Sequence, residues 1–401
     1  MYYDVTIERL NHQGKGISHI NNKVIFIRNT NIGDKVKVKI TKENKKYLEG
    51  EVVAYLNNNN KDNIQCPYYF QCGGCHISMM SYEEQLKFKK EKVENILNKY
   101  ANINKEVDII PSSSPYHYRN KVTYHVQNSQ LGFYQEQSNK LIPITDCLLS
   151  LPKINKIANI IGENINLSKV TKVVIKEHDN NIMVNFEGNI DKQEVITNLS
   201  KKVTTIINNN KVIYGEGYLL QTIDNFKFKV SWTSFFQVNI DVMQKLYHTI
   251  LKLSNITKED KVIDLYCGTG TIGIYLSNYC QEVLGIEINK QAIDDANTNK
   301  KLNNINNIKF ISGDVKDVIN FNYQANIIIV DPPRKGLESY TLDTLLKIEP
   351  KTIIYVSCDP ITLARDLNKL KEKYNIKEVT AFDMFPETYH VECVSVLSRK
   401  A

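Results

Sequence analysis

Between Lys261 and Gly273 the chain reads Lys261-Val262-Ile263-Asp264-Leu265, then Tyr266-Cys267-Gly268-Thr269-Gly270, then Thr271-Ile272-Gly273. A short β-branched run enters a glycine-rich turn and leaves it as a helix. The same strand pattern returns at Glu282–Glu287, Ile308–Asp314, Ala325–Asp331 and Thr352–Val356, with helical segments between. Strands alternating with helices in this order predict a parallel sheet joined by right-handed crossovers. Such sheets bind ligands beyond the carboxyl ends of their strands. The residues at those ends therefore carry most of the functional information.

The strand ends are acidic. Glu287, ending the second strand, is placed to accept hydrogen bonds from both hydroxyls of a ribose. Asp314, ending the third, can reach an adenine amine, and Asp331 ends the fourth in Asp331-Pro332-Pro333-Arg334. Thr271, leaving the glycine turn, is taken as a further cofactor contact. A Gly-x-Gly turn alone also fits nucleotide-binding dehydrogenases. Without a phosphate-binding lysine, and with acids for ribose and adenine, the set suits S-adenosylmethionine better than NAD. An Asp-Pro-Pro tip on the fourth strand is the placement used by methyltransferases that act on bases.

The fifth strand delivers Cys358 in Tyr355-Val356-Ser357-Cys358-Asp359-Pro360. A thiol there is a candidate nucleophile, although a buried structural cysteine fits the hexapeptide equally well. The chemistry of a pyrimidine gives the thiol a task. Carbon 5 takes a methyl group only after a thiolate has added at carbon 6, and a base must then remove the carbon-5 proton. Glu392 in Tyr389-His390-Val391-Glu392-Cys393-Val394 is the candidate base, because an acid in an apolar strand acquires a raised pKa. His390 is the weaker rival. Cytosine-5 RNA methyltransferases carry a second cysteine on the fourth-strand loop, whereas this loop reads Asp331-Pro332-Pro333-Arg334-Lys335-Gly336. One thiol on the fifth strand and none on the fourth favours uracil.

Earlier segments are less explicit. Residues 1–55 read as a small β module with Val24–Ile27 and the alternating Val36-Lys37-Val38-Lys39-Ile40 as strands. Ten Lys/Arg against six Asp/Glu there suit RNA phosphates or a solvated strand face. A polar linker follows at Asn57–Asp62, and then Cys66, Cys72 and Cys75 fall within ten residues. With Cys147 they make four thiols, suited to zinc or a [4Fe–4S] cluster. The missing second Cys-x-x-Cys pair favours the cluster. Residues 81–100 read as an amphipathic helix with a Ser81/Glu84 capping box and a stripe of Leu86, Val93, Ile96 and Leu97. Tyr116–Tyr124 interleaves aromatic and basic residues, which suits stacking on unpaired bases or half-buried sheet positions. The chain has 401 residues, a net charge of +7 and 24% charged residues, with no run of eighteen apolar residues. A cytoplasmic, multidomain protein is expected, with no membrane association and metal or catalytic uses for its eight cysteines.

Assembled, these motifs resemble the RNA uracil-5-methyltransferase family, in particular its iron–sulfur 23S rRNA branch. The resemblance implies a TRAM barrel at 1–55, an iron–sulfur-bearing α+β domain at 56–230 and a class I, Rossmann-like methyltransferase domain at 231–401. It assigns cluster ligation to Cys66, Cys72, Cys75 and Cys147, and cofactor binding to Gln237 in Ser234–Asn239 and to Tyr266, Glu287 and Asp331. It makes Cys358 the nucleophile and Glu392 the base. The implied activity is 5-methyluridine formation in 23S rRNA by a monomer. A tRNA enzyme, or a non-catalytic RNA-binding assembly factor on the same fold, is the alternative.

Overall fold

The computed structural model describes residues 2–57, 64–319 and 323–400. Most of the expected linker, from residue 58 onward, lies outside them.

The first unit is a six-stranded sheet in the order Tyr2–Thr6, Lys35–Glu43, Tyr47–Tyr55, Lys23–Ile27, Gly16–Ile20, Arg9–Leu10. Alternation along Lys35–Glu43 buries Val36 and Val38 and exposes Lys37 and Lys39, as the period of two requires. Both edge strands feed one core, with Tyr3 and Val5 packing on the same cluster as Leu10 and Ile20, so the sheet curls on itself.

A seven-stranded sheet follows, ordered Leu141–Pro143, Gln130–Tyr134, Lys121–Gln127, Val170–His178, Asn181–Gly188, Thr205–Asn208, Lys211–Tyr214. Helices Pro152–Asn164 and Lys192–Leu199 supply Ile154, Ile161, Val195 and Leu199 to its core. Tyr118 and Tyr124 are buried, which leaves neither ring free to stack on a base.

The C-terminal sheet has eight strands in the order Ile308–Ser312, Glu282–Glu287, Lys261–Leu265, Ile327–Val330, Thr352–Ser357, Glu392–Arg399, Tyr374–Phe382, Asp108–Ile110. The first five are parallel; Glu392–Arg399 runs antiparallel to both its neighbours. Alternate residues serve opposite cores. Ile327, Ile329, Ile354 and Val356 face one cluster, and Ile328, Val330, Ile353 and Tyr355 the other. Burial on both faces explains why these strands are continuously apolar. Each fully buried isoleucine contributes roughly 1.5–3 kcal/mol.

The packing departs from the expected boundary near 230. Helix Tyr82–Ala101 packs on the C-terminal core, and Asp108–Ile110 adds the edge strand beside Thr380–Phe382. Hairpin Tyr218–Ile223/Phe226–Ser231 sends Phe226, Phe228 and Val230 into that core as well. The capping box of Ser81 and Glu84 is formed. The buried face of the helix, however, begins with Gln85 and Lys89, while Leu86 is only half-buried. Among the described residues no helix is long and apolar enough to cross a membrane.

Candidate active site

Strand Thr352–Ser357 is buried throughout and ends where Asp359 caps helix Pro360–Leu370, its carboxylate accepting from Ile361 N and Thr362 N. Cys358 lies at that junction, half-buried. The antiparallel neighbour is in register up to Ser357 opposite Cys393, which brings Cys358 and Glu392, the next residue on each chain segment, to the same end of the strand pair. On its other side Glu392 pairs with Phe382. Sequence positions 34 residues apart (392 − 358) thus meet at one end of the strand pair, near enough for the Glu392 carboxylate to act on the Cys358 thiol.

The electrostatics are those of a crowded acidic site. Burial, and then the Glu392 and Asp331 carboxylates, push the Cys358 thiol up to about 12. Burial and Asp331 hold Glu392 well above the usual carboxylate range. Burial raises Asp331 to about 7. Asp264, fully buried, reaches about 8 through burial and the nearby Asp331. Arg334 acts in the opposite direction on both Cys358 and Glu392. Neither Arg334 nor Asp264 carried a role in the sequence reading. Both lie in motifs that were quoted, but their influence depends on neighbours from other strands.

The glycine turn forms an open cradle. Tyr266 and Gly268 adopt φ of 62° and 54°, and a Cβ on Gly268 would meet nothing within 4 Å. Glu287 accepts from Gly268 N at 3.2 Å and Asn289 N at 2.8 Å. A carboxylate has about four acceptor positions, so capacity for ribose hydroxyls remains. Asp331 N bonds Leu265 O, holding the fourth-strand tip beside the turn. These features fit a cationic sulfonium nucleoside: open space over the turn, acceptors beside it, and acids raised by burial. The other expected contacts are engaged locally. Tyr266 Oη lies 3.1 Å from Thr341 Oγ1, and Thr271 Oγ1 accepts from Tyr247 Oη at 2.7 Å. Asp314 caps the short helix Val315–Val318. Gln237 is half-buried, and its carbonyl accepts from Asn120 Nδ2 at 3.1 Å.

Cys66, Cys72, Cys75 and Cys147 line one pocket together with Tyr68, Tyr69, Tyr116 and Glu387. Gly73 makes the loop possible, since a Cβ there would meet Glu136 N at 2.7 Å and Tyr134 O at 2.8 Å. Burial raises the Cys66, Cys72 and Cys75 thiols, Cys72 to about 11, and the neighbouring Cys147 raises all three further. All are unpaired. Among the described residues, no group of three or more His, Cys, Asp or Glu has the arrangement of a metal-ion site. The expected metal centre is thus not shown; four convergent free thiols are.

With this geometry in hand, residues 81–400 match the tRNA (uracil-5-)-methyltransferase family and residues 1–53 the TRAM domain. The chain belongs to the tRNA (uracil-5-)-methyltransferase family. The methyltransferase is 35% identical to an uncharacterized RNA methyltransferase of Clostridium tetani, over 99% of this chain and 96% of that one. It is 33% identical to another from Halalkalibacterium halodurans, over 99% and 97%. Its fold matches that of the Pyrococcus abyssi tRNA (uracil-54, C5)-methyltransferase, solved with S-adenosyl-L-homocysteine. That match has a TM-score of 0.81 at 26% identity and covers 98% of this chain and 100% of the other. The methyltransferase is therefore an S-adenosylmethionine-dependent member of an RNA uracil-5-methylating family with an N-terminal TRAM domain.

Proposed function

We propose that the protein methylates carbon 5 of a uridine in 23S rRNA, as a cytoplasmic monomer, through a covalent bond between Cys358 Sγ and carbon 6 of the base. What supports this reading is that Cys358 directly follows strand Thr352–Ser357 and Glu392 opens its antiparallel neighbour at the same end, close enough for the Glu392 carboxylate to raise the Cys358 thiol. Bound S-adenosylmethionine, held by Gln237, Tyr266, Glu287 and Asp331 with Thr271 and Asp314 alongside, supplies an electrophilic methyl group.

Cys358 loses its proton and Sγ bonds carbon 6, which moves an electron pair onto carbon 5. Arg334, the cation that lowers the thiol's pKa, favours this ionised form. The carbon-5 pair would bond the methyl carbon as the methyl–sulfonium bond breaks, its electrons staying on the sulfur of S-adenosylhomocysteine, and carbon 5 then carries both its proton and the methyl group. The Glu392 carboxylate takes that proton, and the C–H electrons restore the C5=C6 bond. The C6–S bond breaks and the Cys358 thiolate leaves. One proton is released overall. The raised pKa of Glu392 makes its carboxylate a stronger base for this step.

Cys66, Cys72, Cys75 and Cys147 are proposed to hold a [4Fe–4S] cluster. What supports this is the convergence of all four thiols on one pocket. The cluster would tie the 66–75 loop to the segment carrying Cys147, and methyl transfer itself needs no electron.

A tRNA uridine is the second reading, favoured by the likeness to the Pyrococcus abyssi tRNA enzyme. Labelled S-adenosylmethionine with unmodified 23S rRNA and tRNA in parallel, followed by mapping of the labelled base, decides between them. Label in 23S rRNA alone supports the first reading; label in tRNA alone replaces it with the second.

A further inference from the structure

Helix Tyr82–Ala101 turns a polar stripe inward. Gln85 and Lys89 are buried and Lys92 is half-buried, at the i, i+4, i+7 spacing that shares one face. All three grip the loop 383–391, which ends at Glu392. Lys89 Nζ donates to the Asp383 carboxylate and to Phe385 O at 2.9 Å. Lys92 Nζ donates to Tyr389 O at 2.7 Å. Gln85 Nε2 donates to Glu387 Oε1 at 3.0 Å, while Glu387 N donates back to Gln85 Oε1 at 2.9 Å.

Glu387 is the unusual member. Its φ is 67°, a region that side chains other than glycine rarely occupy, and it is only 4% exposed. Its carbonyl accepts from His76 N at 2.9 Å and Ile77 N at 3.3 Å, the residues directly after Cys75. Its side chain lines the pocket of the four cysteines. A strained backbone persists only where its surroundings over-determine it, and such positions cluster at functional sites. Here four hydrogen bonds from two separate segments do so.

We infer that Glu387, clamped by Gln85, is a positioning residue for Glu392: it fixes the loop that delivers the base and joins that loop to the segment bearing Cys75. This rests on Glu392 acting as the base. The effect is specific to one step. Cys358 is placed by strand Thr352–Ser357 and the cap at Asp359, and the Gln85–Glu387 hydrogen bonds engage neither of them. A loosened clamp therefore leaves thiol addition and methyl transfer intact and slows proton removal. Methylated RNA then stays bonded to Cys358.

The test is a single-turnover reaction with labelled S-adenosylmethionine and whichever of 23S rRNA or tRNA accepts label. Covalent protein–RNA adduct is followed on denaturing gels. Gln85→Leu removes both bonds of the clamp. Glu387→Gly removes the side-chain bond at a φ that glycine adopts freely, so it retains the fold even if Gln85→Leu does not. Both are expected to label RNA at the wild-type rate while the adduct decays on the order of 10–100-fold more slowly. Glu387→Gln keeps an acceptor for Gln85 Nε2 and should restore normal decay. Glu392→Gln, run alongside, should trap the adduct. If it does not, the base assignment falls and the clamp with it. If Glu392→Gln traps the adduct but Gln85→Leu and Glu387→Gly release RNA normally, the positioning role is wrong and the proposed function stands. Equal slowing of addition and release also overturns the role.

Discussion

Lys89 and Asp383 form an ion pair in which neither side chain is exposed, joining helix Tyr82–Ala101 to the loop that leads into Glu392. Burial lowers the Lys89 pKa and the Asp383 carboxylate opposes that effect. Removing one partner of a buried pair leaves an uncompensated charge and costs about 3–5 kcal/mol, whereas replacing both with apolar groups is often neutral. Lys89→Met should therefore lose about 3–5 kcal/mol in urea unfolding. Lys89→Met combined with Asp383→Leu should recover most of it. A double variant no more stable than the single one would contradict this account.

Asp264 sets a pH dependence of stability. Its folded pKa is raised from 3.8 to about 8, by burial and then by Asp331. Its contribution is fully present below the unfolded value and is lost as pH rises toward about 8, because over that range the folded state binds the extra proton. Each pH unit in the window costs up to about 1.4 kcal/mol. Thermal melting of the wild type should fall relative to Asp264→Asn between about pH 5 and pH 8, and the difference should level off above that. A difference independent of pH would refute the assignment.

Arg334 lowers the pKa of both Cys358 and Glu392. Each must lose a proton before it acts. Arg334→Met raises both pKa values, so the rising limb of kcat/KM should move to higher pH and adduct formation at neutral pH should slow. A profile that stays in place, or shifts toward acid, counts against a role for Arg334 in ionising the thiol.

The four-cysteine pocket makes a compositional prediction. Purified without oxygen, the protein should contain iron and acid-labile sulfide in equal amounts, about four of each per chain. Cys72→Ser should lower both and reduce melting temperature or RNA affinity. Zinc in place of iron, or a Cys72→Ser protein with unchanged melting, RNA binding and activity, would remove the cluster from the account.

Legibility from sequence followed locality. Glu287, Asp331 and Cys358 were readable because a strand's own pattern locates its tip, and chemistry gathers at the tips of a parallel sheet. The alternation of Lys35–Glu43 and the Ser81/Glu84 box were equally local. Gln85, Lys89 and Lys92 were not readable. Polar residues on a helix look solvent-facing until Asp383, Phe385, Glu387 and Tyr389 arrive from some 300 residues away to receive their hydrogen bonds. Asp108–Ile110 is too short to carry a pattern, and its partner, Tyr374–Phe382, is equally distant in sequence. Tyr118 and Tyr124 show the converse ambiguity: aromatic residues among cations fit a stacking surface or sheet positions equally, and sheet packing claims both rings. The cysteines were legible as a set, whereas what they hold is a matter of the group that joins them.

In the proposed reaction Cys358 bonds to the uracil ring. RNA carrying 5-fluorouridine at the target position blocks the final step, because Glu392 cannot remove fluorine as a proton. Incubated with S-adenosylmethionine, the wild-type protein should give a protein–RNA adduct that survives denaturing electrophoresis, and Cys358→Ala should give none. An adduct that still forms with Cys358→Ala, or no adduct with a wild-type protein that methylates the matching uridine RNA, would contradict it.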